Sequence, residues 1–518
     1  MPQIQIMHQS IRVRFAPSPT GALHIGGVRT ALFNYLLAKK HKGTFILRIE
    51  DTDQNRFVPG AEDYIIEALA WCGLHFDEGP MQGGPHGPYR QSERKHMYAQ
   101  FADQLIQKGH AYYAFDTAES LEQKREEWKL KFDHSATYNA LTRMEMKNSL
   151  TMSDSEVGEA ISSGQPYTVR LKMPASEDIR FTDIIRGEVT FNTSELDDKI
   201  ILKGDGMPTY HLANVVDDYL MKISHVIRGE EWLSSTAHHV LLYRFLEWEQ
   251  VMPQFAHLPL ILKPDGKGKL SKRDGVKLGM PVFPLSWEDP NPEDSFIGFR
   301  EAGFDPAALI NFLAFLGWNP GTEQEIFSMN ELIEAFDLSH VSKSGARFDF
   351  DKIKWFNQQY LKNQSGEEIA SNVAQMIKEA GWNPSEEYLA AVCNILKDRI
   401  AVYPDIARDG VYFFTEDFPK DKDTFKKKWN PEHKATIQGL ADLLGSWESN
   451  DSTELEHAVK DYIANSGLGL GQVLPILRIA IAGTLKGPDL FQTMMLIGLR
   501  KSQARIQKLI EESSHLLA

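Results

Sequence analysis

Cysteine is nearly missing: only Cys72 and Cys393 occur in 518 residues, far apart in the chain. Two distant thiols exclude a disulfide framework and any zinc site built on four cysteines, and they fit a reducing compartment. No run of about 18 consecutive apolar residues occurs, so no membrane-spanning helix is expected. The stretch Met1 to Arg12 lacks both the apolar core of a signal peptide and an Arg-rich transit pattern. A cytoplasmic location is the expectation. A surplus of positive charge is lacking too: 56 Lys plus Arg against 71 Asp plus Glu give a net charge of −15, so a polyanionic partner has to be met by local basic patches. Internal repeats and long low-complexity tracts are also missing.

What is present is ordinary globular composition, 42% hydrophobic, 10% aromatic and 25% charged. At roughly 100 to 200 residues per domain, the length predicts about three domains. Alternation over Ile11 to Phe15 predicts a strand, followed by a turn through Ala16-Pro17-Ser18-Pro19-Thr20-Gly21. From His24 the spacing of Val28, Ala31, Leu32, Tyr35 and Leu36 predicts a helix, and Thr44 to Ile49 a second strand, which together open a parallel α/β sheet. A helix is expected over Ala61 to Trp71, a Gly- and Pro-rich loop over Gln82 to Arg90, and a helix capped by Ser92 through Leu105.

From about 110 to 210 the character changes, with a charged helix (Ser120 to Phe132) and β-like segments at Tyr167 to Lys172 and Val189 to Asn192, which reads as an insertion. The sheet resumes with His225 to Arg228, a helix over Ser234 to Leu246 and an apolar strand at Leu258 to Leu262. Beyond about Asp305 the pattern predicts helices to the end, the last over Asp489 to Ser513. The expected organisation is a parallel α/β sheet in two halves (1–109 and 211–275), an insertion between them (110–210), a 276–365 region and an all-helical 366–518 region.

Two segments carry chemistry. His24-Ile25-Gly26-Gly27 lies after a strand and opens a helix, where unpaired N–H groups and a partial positive charge suit a phosphate and glycines admit a nucleotide close to the backbone. A Gly-rich turn with a surface His is the plain alternative. Lys269-Leu270-Ser271-Lys272-Arg273 sits among Gly266, Gly268 and Gly275, so a mobile cationic loop is expected to close over a triphosphate, or to be simply a solvated basic loop.

Those two segments, with Arg14-Phe15-Ala16-Pro17-Ser18-Pro19-Thr20-Gly21 and Arg48-Ile49-Glu50-Asp51-Thr52-Asp53, resemble the glutamyl-tRNA synthetases. So, in the same order, do Gly87-Pro88-Tyr89-Arg90-Gln91-Ser92-Glu93-Arg94, Pro208-Thr209-Tyr210-His211-Leu212-Ala213-Asn214-Val215-Val216-Asp217-Asp218 and Val226-Ile227-Arg228-Gly229-Glu230-Glu231-Trp232. The resemblance implies a bacterial-type class I aminoacyl-tRNA synthetase, α/β in fold, with a Rossmann-like catalytic domain (1–109 and 211–275), an inserted α+β connective domain that binds the acceptor end (110–210), a stem-contact region (276–365) and an all-helical anticodon-binding region (366–518). Its implied partners are ATP, L-glutamate and tRNA(Glu), with magnesium on the phosphates, no membrane, and a monomer. It implies two steps, formation of glutamyl-adenylate and transfer to the terminal ribose of the tRNA.

By the same resemblance His24 and Lys272 are catalytic, and His24, Gly26, Gly27, Lys269, Ser271, Lys272 and Arg273 bind ATP. Arg14, Ala16, Ser18, Glu50, Tyr210, Asn214 and Arg228 are implied to bind glutamate, with Trp232 lining the substrate region. An arginine suits this task because its planar fork pairs with a carboxylate and loses part of that pairing to an amide. Asp51 and Asp53 read either as metal ligands or as turn and capping residues, and no metal site is expected. Gln91, Ser92 and Arg94 are open to the tRNA end or to helix capping. Where some members hold zinc through cysteines this chain has Tyr112-Tyr113-Ala114-Phe115, so no structural zinc is expected.

The helical C-terminal region resembles the family's anticodon-binding part, with Arg399 implied in discriminating the last anticodon base and Lys426, Lys427, Lys428 and Arg347 as candidate phosphate contacts. Alternatives are a non-discriminating enzyme that also charges tRNA(Gln), a glutaminyl-tRNA synthetase, or a non-catalytic nucleotide- and RNA-binding scaffold. Two departures from the family are the leader Met1 to Ser10 and the long, Pro-, Trp- and acid-rich stretch Met280 to Phe299, for which the sequence suggests no purpose.

Overall fold

The computed structural model describes residues 10–132, 137–289, 291, 293 and 295–517; apart from Ser10, the leader lies outside them. The chain divides into two compact units, one built from residues up to Phe299 plus Leu309–Phe350, the other from Arg300–Ala308 and residues from Asp351 onward. No helix among the described residues is long and apolar enough to cross a membrane.

The first unit opens with β1 (Arg12–Phe15), α1 (Ile25–Lys40) and β2 (Thr44–Leu47), and β1 and β2 pair in parallel. This β–α–β start needs a crossover helix, and α1 supplies it with a face of fully buried residues, among them Val28, Leu32 and Leu36. α2 (Ala61–Trp71) has the predicted bounds, whereas Ser92 opens a short 3-10 turn to Arg94 before α3 (Lys95–Gln107) instead of capping that helix.

The inserted region contributes β3 (Ala111–Ala114), α4 (Ala118–Phe132), α5 (Asp154–Ser162), β4 (Thr168–Leu171), β5 (Asp178–Asp183), β6 (Gly187–Asn192) and β7 (Ile200–Leu202). β3, β4 and β7 form an antiparallel sheet around its own aromatic core of Tyr112, Trp128 and Tyr138. β5 and β6 behave otherwise. They form a hairpin that joins the main sheet, Asp183 pairing in parallel with Phe255.

α6 (Tyr210–Leu220), β8 (His225–Gly229), α7 (Ser235–Phe245) and β9 (Gln254–Leu258) follow, giving a sheet of order β6-β5-β9-β8 with β8 and β9 parallel. The Ser224 N–H donates to the Arg12 carbonyl at 2.9 Å, so the foot of β8 abuts β1. The apolar strand expected at Leu258 to Leu262 is two pieces: β9 ends at Leu258, Pro259 cannot donate to a ladder, and β10 (Ile261–Leu262) pairs elsewhere. After α8 (Lys272–Leu278), α9 (Pro306–Phe315) and α10 (Met329–Ala335), its partner is the parallel strand β11 (Ala346–Arg347). The helical reading beyond Asp305 therefore needs this strand as a correction.

Helices are the only regular elements among the described residues of the second unit, packed around Ile369, Val373, Val392, Ile437, Ile476, Ile506 and their neighbours. Ser365 and Glu368 form a capping box at the start of the Gly366–Glu379 helix. The single helix expected over Asp489 to Ser513 is two, Leu490–Ile497 and Leu499–Leu517, because Gly498 takes a positive φ of 97° and stops the first.

Candidate active site

His24 caps α1, its Nδ1 accepting the Gly26 N–H at 3.1 Å. An acceptor at Nδ1 leaves the proton on Nε2, which is buried and has no hydrogen-bond partner among the described residues. Burial, then the nearby Lys269 ammonium, push the imidazole down to about 4, so the ring is neutral at pH 7. The start of α1 thus carries a spare side-chain N–H donor, whereas the N–H groups expected to be unpaired in its first turn are taken by the Val282 carbonyl, the His24 Nδ1 and the His24 carbonyl. A Cβ on Gly26 would meet only the His24 ring, at 3.4 Å, whereas one on Gly27 would lie 2.5 Å from Leu23 and 3.6 Å from Phe15. Gly27 is therefore required by packing inside the chain, and Gly26 is the glycine with open space.

The lysine segment has local structure of its own. The Leu270 N–H donates to the Ile261 carbonyl and the Lys263 N–H to the Gly268 carbonyl, a hairpin whose turn uses positive φ at Gly266 and Gly268. Asp274 accepts from both the Ser271 N–H and hydroxyl, at 3.0 and 2.5 Å, and α8 starts at Lys272. Lys269 is exposed and paired with Glu231 at 2.7 Å, and Arg273 is exposed. The Lys272 ammonium lies 5.2 Å from the Phe296 ring centroid.

The stretch that had no expected purpose joins these segments. Phe296 stacks on Phe283 at 3.9 Å, and Phe283 meets the His24 ring edge-on at 5.4 Å. The Ile25 N–H donates to the Val282 carbonyl, while the Tyr64 hydroxyl bonds the Leu285 carbonyl and its ring meets Trp287. Phe283 and Phe296 thus bridge the start of α1 and the lysine segment.

A second cluster lies at the carboxyl ends of β1 and β2. Arg14 grips Asp218 with Nε at 3.0 Å and Nη2 at 3.2 Å, and Arg48 reaches the same carboxylate with Nη1 at 2.7 Å and Glu50 with Nη2 at 2.9 Å. The Asn214 amide donates to Glu50 at 3.2 Å. All five are buried. Burial works to raise the Asp218 carboxyl, yet Arg14 and Arg48 hold it below the ordinary carboxylate range. Neighbouring Arg228 donates to the Tyr210 hydroxyl at 2.6 Å, and the Tyr210 ring lies 4.5 Å from the half-exposed Trp232. Ala16 is half-buried and Ser18 exposed, in the turn that follows β1.

Tyr210, Asn214 and Asp218 recur every four residues on α6, one face of one helix. Asp218 and Arg48 were not singled out from the sequence, although that spacing within a quoted motif was available to find Asp218. Adjacent Asp217 faces another way and binds Arg94, Gln91 and Tyr98 at 2.6 to 2.9 Å. Gln91 and Arg94 are both 1% exposed, so neither is presented to a tRNA end. Asp51 accepts from the Ser92 N–H and hydroxyl, and Asp53 pairs with Arg56, which are capping and surface roles. Tyr112 donates to buried Asp198 at 2.6 Å.

In the second unit Arg399 is exposed and lines a cavity of about 840 Å³ together with Arg408, Tyr412, Arg478 and Lys486. Lys426, Lys427 and Lys428 are exposed on the helix capped by Asp421; Arg347, in the first unit, is exposed on β11.

Residues 10–355 match the family model described as tRNA synthetases class I (E and Q), catalytic domain, and residues 368–510 match an anticodon binding domain. A glutamate–tRNA ligase of Amoebophilus asiaticus (strain 5a2) is 52% identical over 502 residues, 97% of this chain and 98% of the relative. One of Cytophaga hutchinsonii is 50% identical over 96% of this chain and 97% of the relative. Among solved structures, a glutamate tRNA ligase from Elizabethkingia meningosepticum in complex with its amino acid superposes with a TM-score of 0.93 at 47% identity, covering 97% of this chain and 99% of the other. A fold with these two matched regions in order, and relatives this similar over nearly the whole length, place the chain in the glutamate–tRNA ligases, class I aminoacyl-tRNA synthetases that use ATP as a substrate.

Proposed function

We propose that the chain ligates L-glutamate to tRNA(Glu) in two steps. An oxygen of the α-carboxylate of glutamate attacks the α-phosphorus of ATP, the bond to the β-phosphate oxygen breaks, and glutamyl-adenylate and pyrophosphate form. A hydroxyl of the terminal ribose then attacks the acyl carbon and AMP leaves. No protein nucleophile is needed; the work is positioning and charge stabilisation. Magnesium arrives with the phosphates of ATP as part of that substrate.

The observation that carries the reading is the charge of the amino-acid pocket. Arg14 and Arg48 pair with Asp218 and Glu50, and Arg228, held by Tyr210, Thr236 and His257, makes no ion pair among the described residues. Glutamate presents two carboxylates at neutral pH and glutamine one, so a pocket with a guanidinium for each carboxylate favours glutamate. Arg14 spends Nε and Nη2 on Asp218, and its Nη1 makes no hydrogen bond among the described residues, which leaves a donor for the side-chain carboxylate. Arg228 and Tyr210 receive the α-carboxylate, Ser18 and Glu50 the ammonium, and Ala16, Asn214 and Trp232 complete the lining.

Neutral His24, with its spare Nε2–H, donates to a phosphate oxygen of ATP, and Lys272 stabilises the charge that develops during transfer. Gly26 admits the nucleotide; Gly27, Lys269, Ser271 and Arg273 shape and close its site. The helical unit reads the anticodon, Arg399 discriminating its last base, and the enzyme acts as a monomer. ATP–pyrophosphate exchange with each amino acid, with and without tRNA, is the test: exchange with glutamate in the presence of tRNA is expected, and exchange with glutamine in its place would overturn the pocket argument.

A further inference from the structure

The inserted region reaches the amino-acid pocket through a buried line of side chains. Asp183 ends β5, and the side chains of Asp183 and His257 are both fully buried, with Oδ2 to Nδ1 at 2.7 Å. The Asp183 carboxylate also accepts the N–H groups of Ile185 at 3.0 Å, Arg186 at 2.8 Å and His257 at 3.1 Å. A carboxylate fed by four N–H donors stays ionised, so His257 donates from Nδ1 and its Nε2 is an acceptor. That Nε2 takes the Nε–H of Arg228 at 3.1 Å and faces the Thr236 hydroxyl at the same distance. Thr236 accepts the Nη2–H of Arg228 at 2.8 Å, and Nη1 goes to Tyr210. The guanidinium is therefore held at all three nitrogens, and the hold begins on a strand supplied by the insertion.

We propose that Asp183, His257 and Thr236 are positioning residues that fix the plane and direction of the Arg228 guanidinium toward the α-carboxylate of glutamate. This rests on the assignment of Arg228 proposed above. A guanidinium pairs well with a carboxylate only in a few orientations, so fixing its plane in advance lowers the ordering cost of binding. His257 suits the task because its Nδ1–H is locked by Asp183 and its Nε2 presents a lone pair in the ring plane.

The experiment is steady-state charging by the full-length chain, varying glutamate and ATP separately, for Arg228→Ala, Thr236→Val, His257→Phe and His257→Gln. Thr236→Val and His257→Phe are expected to raise the glutamate KM roughly tenfold, the scale of one hydrogen bond to a charged group, with the ATP KM and kcat little changed. His257→Gln, whose amide oxygen can accept from Arg228, is expected to recover most of that loss. A raised glutamate KM in Arg228→Ala with no change in the His257 and Thr236 variants would overturn the positioning role and leave the pocket standing. An unchanged KM in Arg228→Ala would remove both. Should His257→Phe fail to fold, ¹⁵N spectra of the unaltered chain decide: a proton on Nδ1 and a bare Nε2 are expected, and the opposite tautomer contradicts the proposal.

Discussion

Lys272 and His24 are linked through two stacked rings: the ammonium lies over Phe296, Phe296 stacks on Phe283, and Phe283 meets the imidazole edge-on. The link sets the lysine segment against the start of α1 without a direct bond between the two residues. Phe296→Ala removes a cation–π contact of about 1 kcal/mol and half of the stack. Adenylate formation is expected to fall several-fold, Phe296→Tyr staying near the original rate in pyrophosphate exchange. Equal rates for Phe296→Ala would show that the bridge positions nothing. Lys272→Ala, which removes the charge itself, is expected to lower adenylate formation by orders of magnitude while tRNA binding, followed by filter retention, stays within about twofold.

Lys269 is held by Glu231 at 2.7 Å, with both side chains about half exposed. Such pairs contribute within about 1 kcal/mol to stability, so Glu231→Gln should leave the thermal midpoint nearly unchanged. Releasing Lys269 toward the phosphates is expected to lower the KM for ATP about twofold. A rise in that KM would mean that the pair itself builds the nucleotide site.

Asp218 is the shared anchor of Arg14 and Arg48. Asp218→Asn leaves two buried guanidiniums with weakened partners, a change expected to cost about 3 to 5 kcal/mol of stability by analogy with other broken buried pairs. Chemical denaturation measures it. The glutamate KM should rise more than the ATP KM, because Arg14 loses its orientation and the ATP site does not include Asp218.

His24 has a folded pKa of about 4, below the ordinary 6.5. A group that binds its proton more weakly in the folded chain favours unfolding once protonated. Its contribution to stability is therefore complete above about 6.5 and is lost progressively as pH falls toward 4. NMR titration of His24 should give a midpoint near 4, and the pH profile of adenylate formation should show no limb from this residue between pH 5 and 8. A midpoint near 6.5 would mean that the ring is solvated and not the buried donor described.

Local signals made the motifs legible and left their supports hidden. The bounds of α2 and the placing of His24 at a helix start follow from residues close in sequence, where periodicity and glycine placement act. β5 was legible as a strand, since exposed Asp178, Arg180 and Thr182 alternate with buried Ile179, Phe181 and Asp183, and was passed over; its membership of the main sheet is what local signals hide, being set by Phe255, 72 positions beyond Asp183. Asp183 and His257 are 74 positions apart and meet only once that sheet forms. The described residues of the Met280 to Phe299 stretch have little regular structure of their own; their role is carried by ring contacts with His24, Tyr64 and Lys272. The break at Gly498 was written in the sequence but masked by apolar periodicity on both sides.

The most direct measurement is charging of purified tRNA(Glu) and tRNA(Gln) by the unaltered chain, with labelled glutamate and, separately, labelled glutamine. Glutamate on tRNA(Glu) is expected, with little on tRNA(Gln) until Arg399 is replaced by Gln, and no glutamine on either. Transfer of glutamine, or no transfer of glutamate to tRNA(Glu) under any condition, would contradict a pocket in which the spare Arg14 donor selects the acidic side chain.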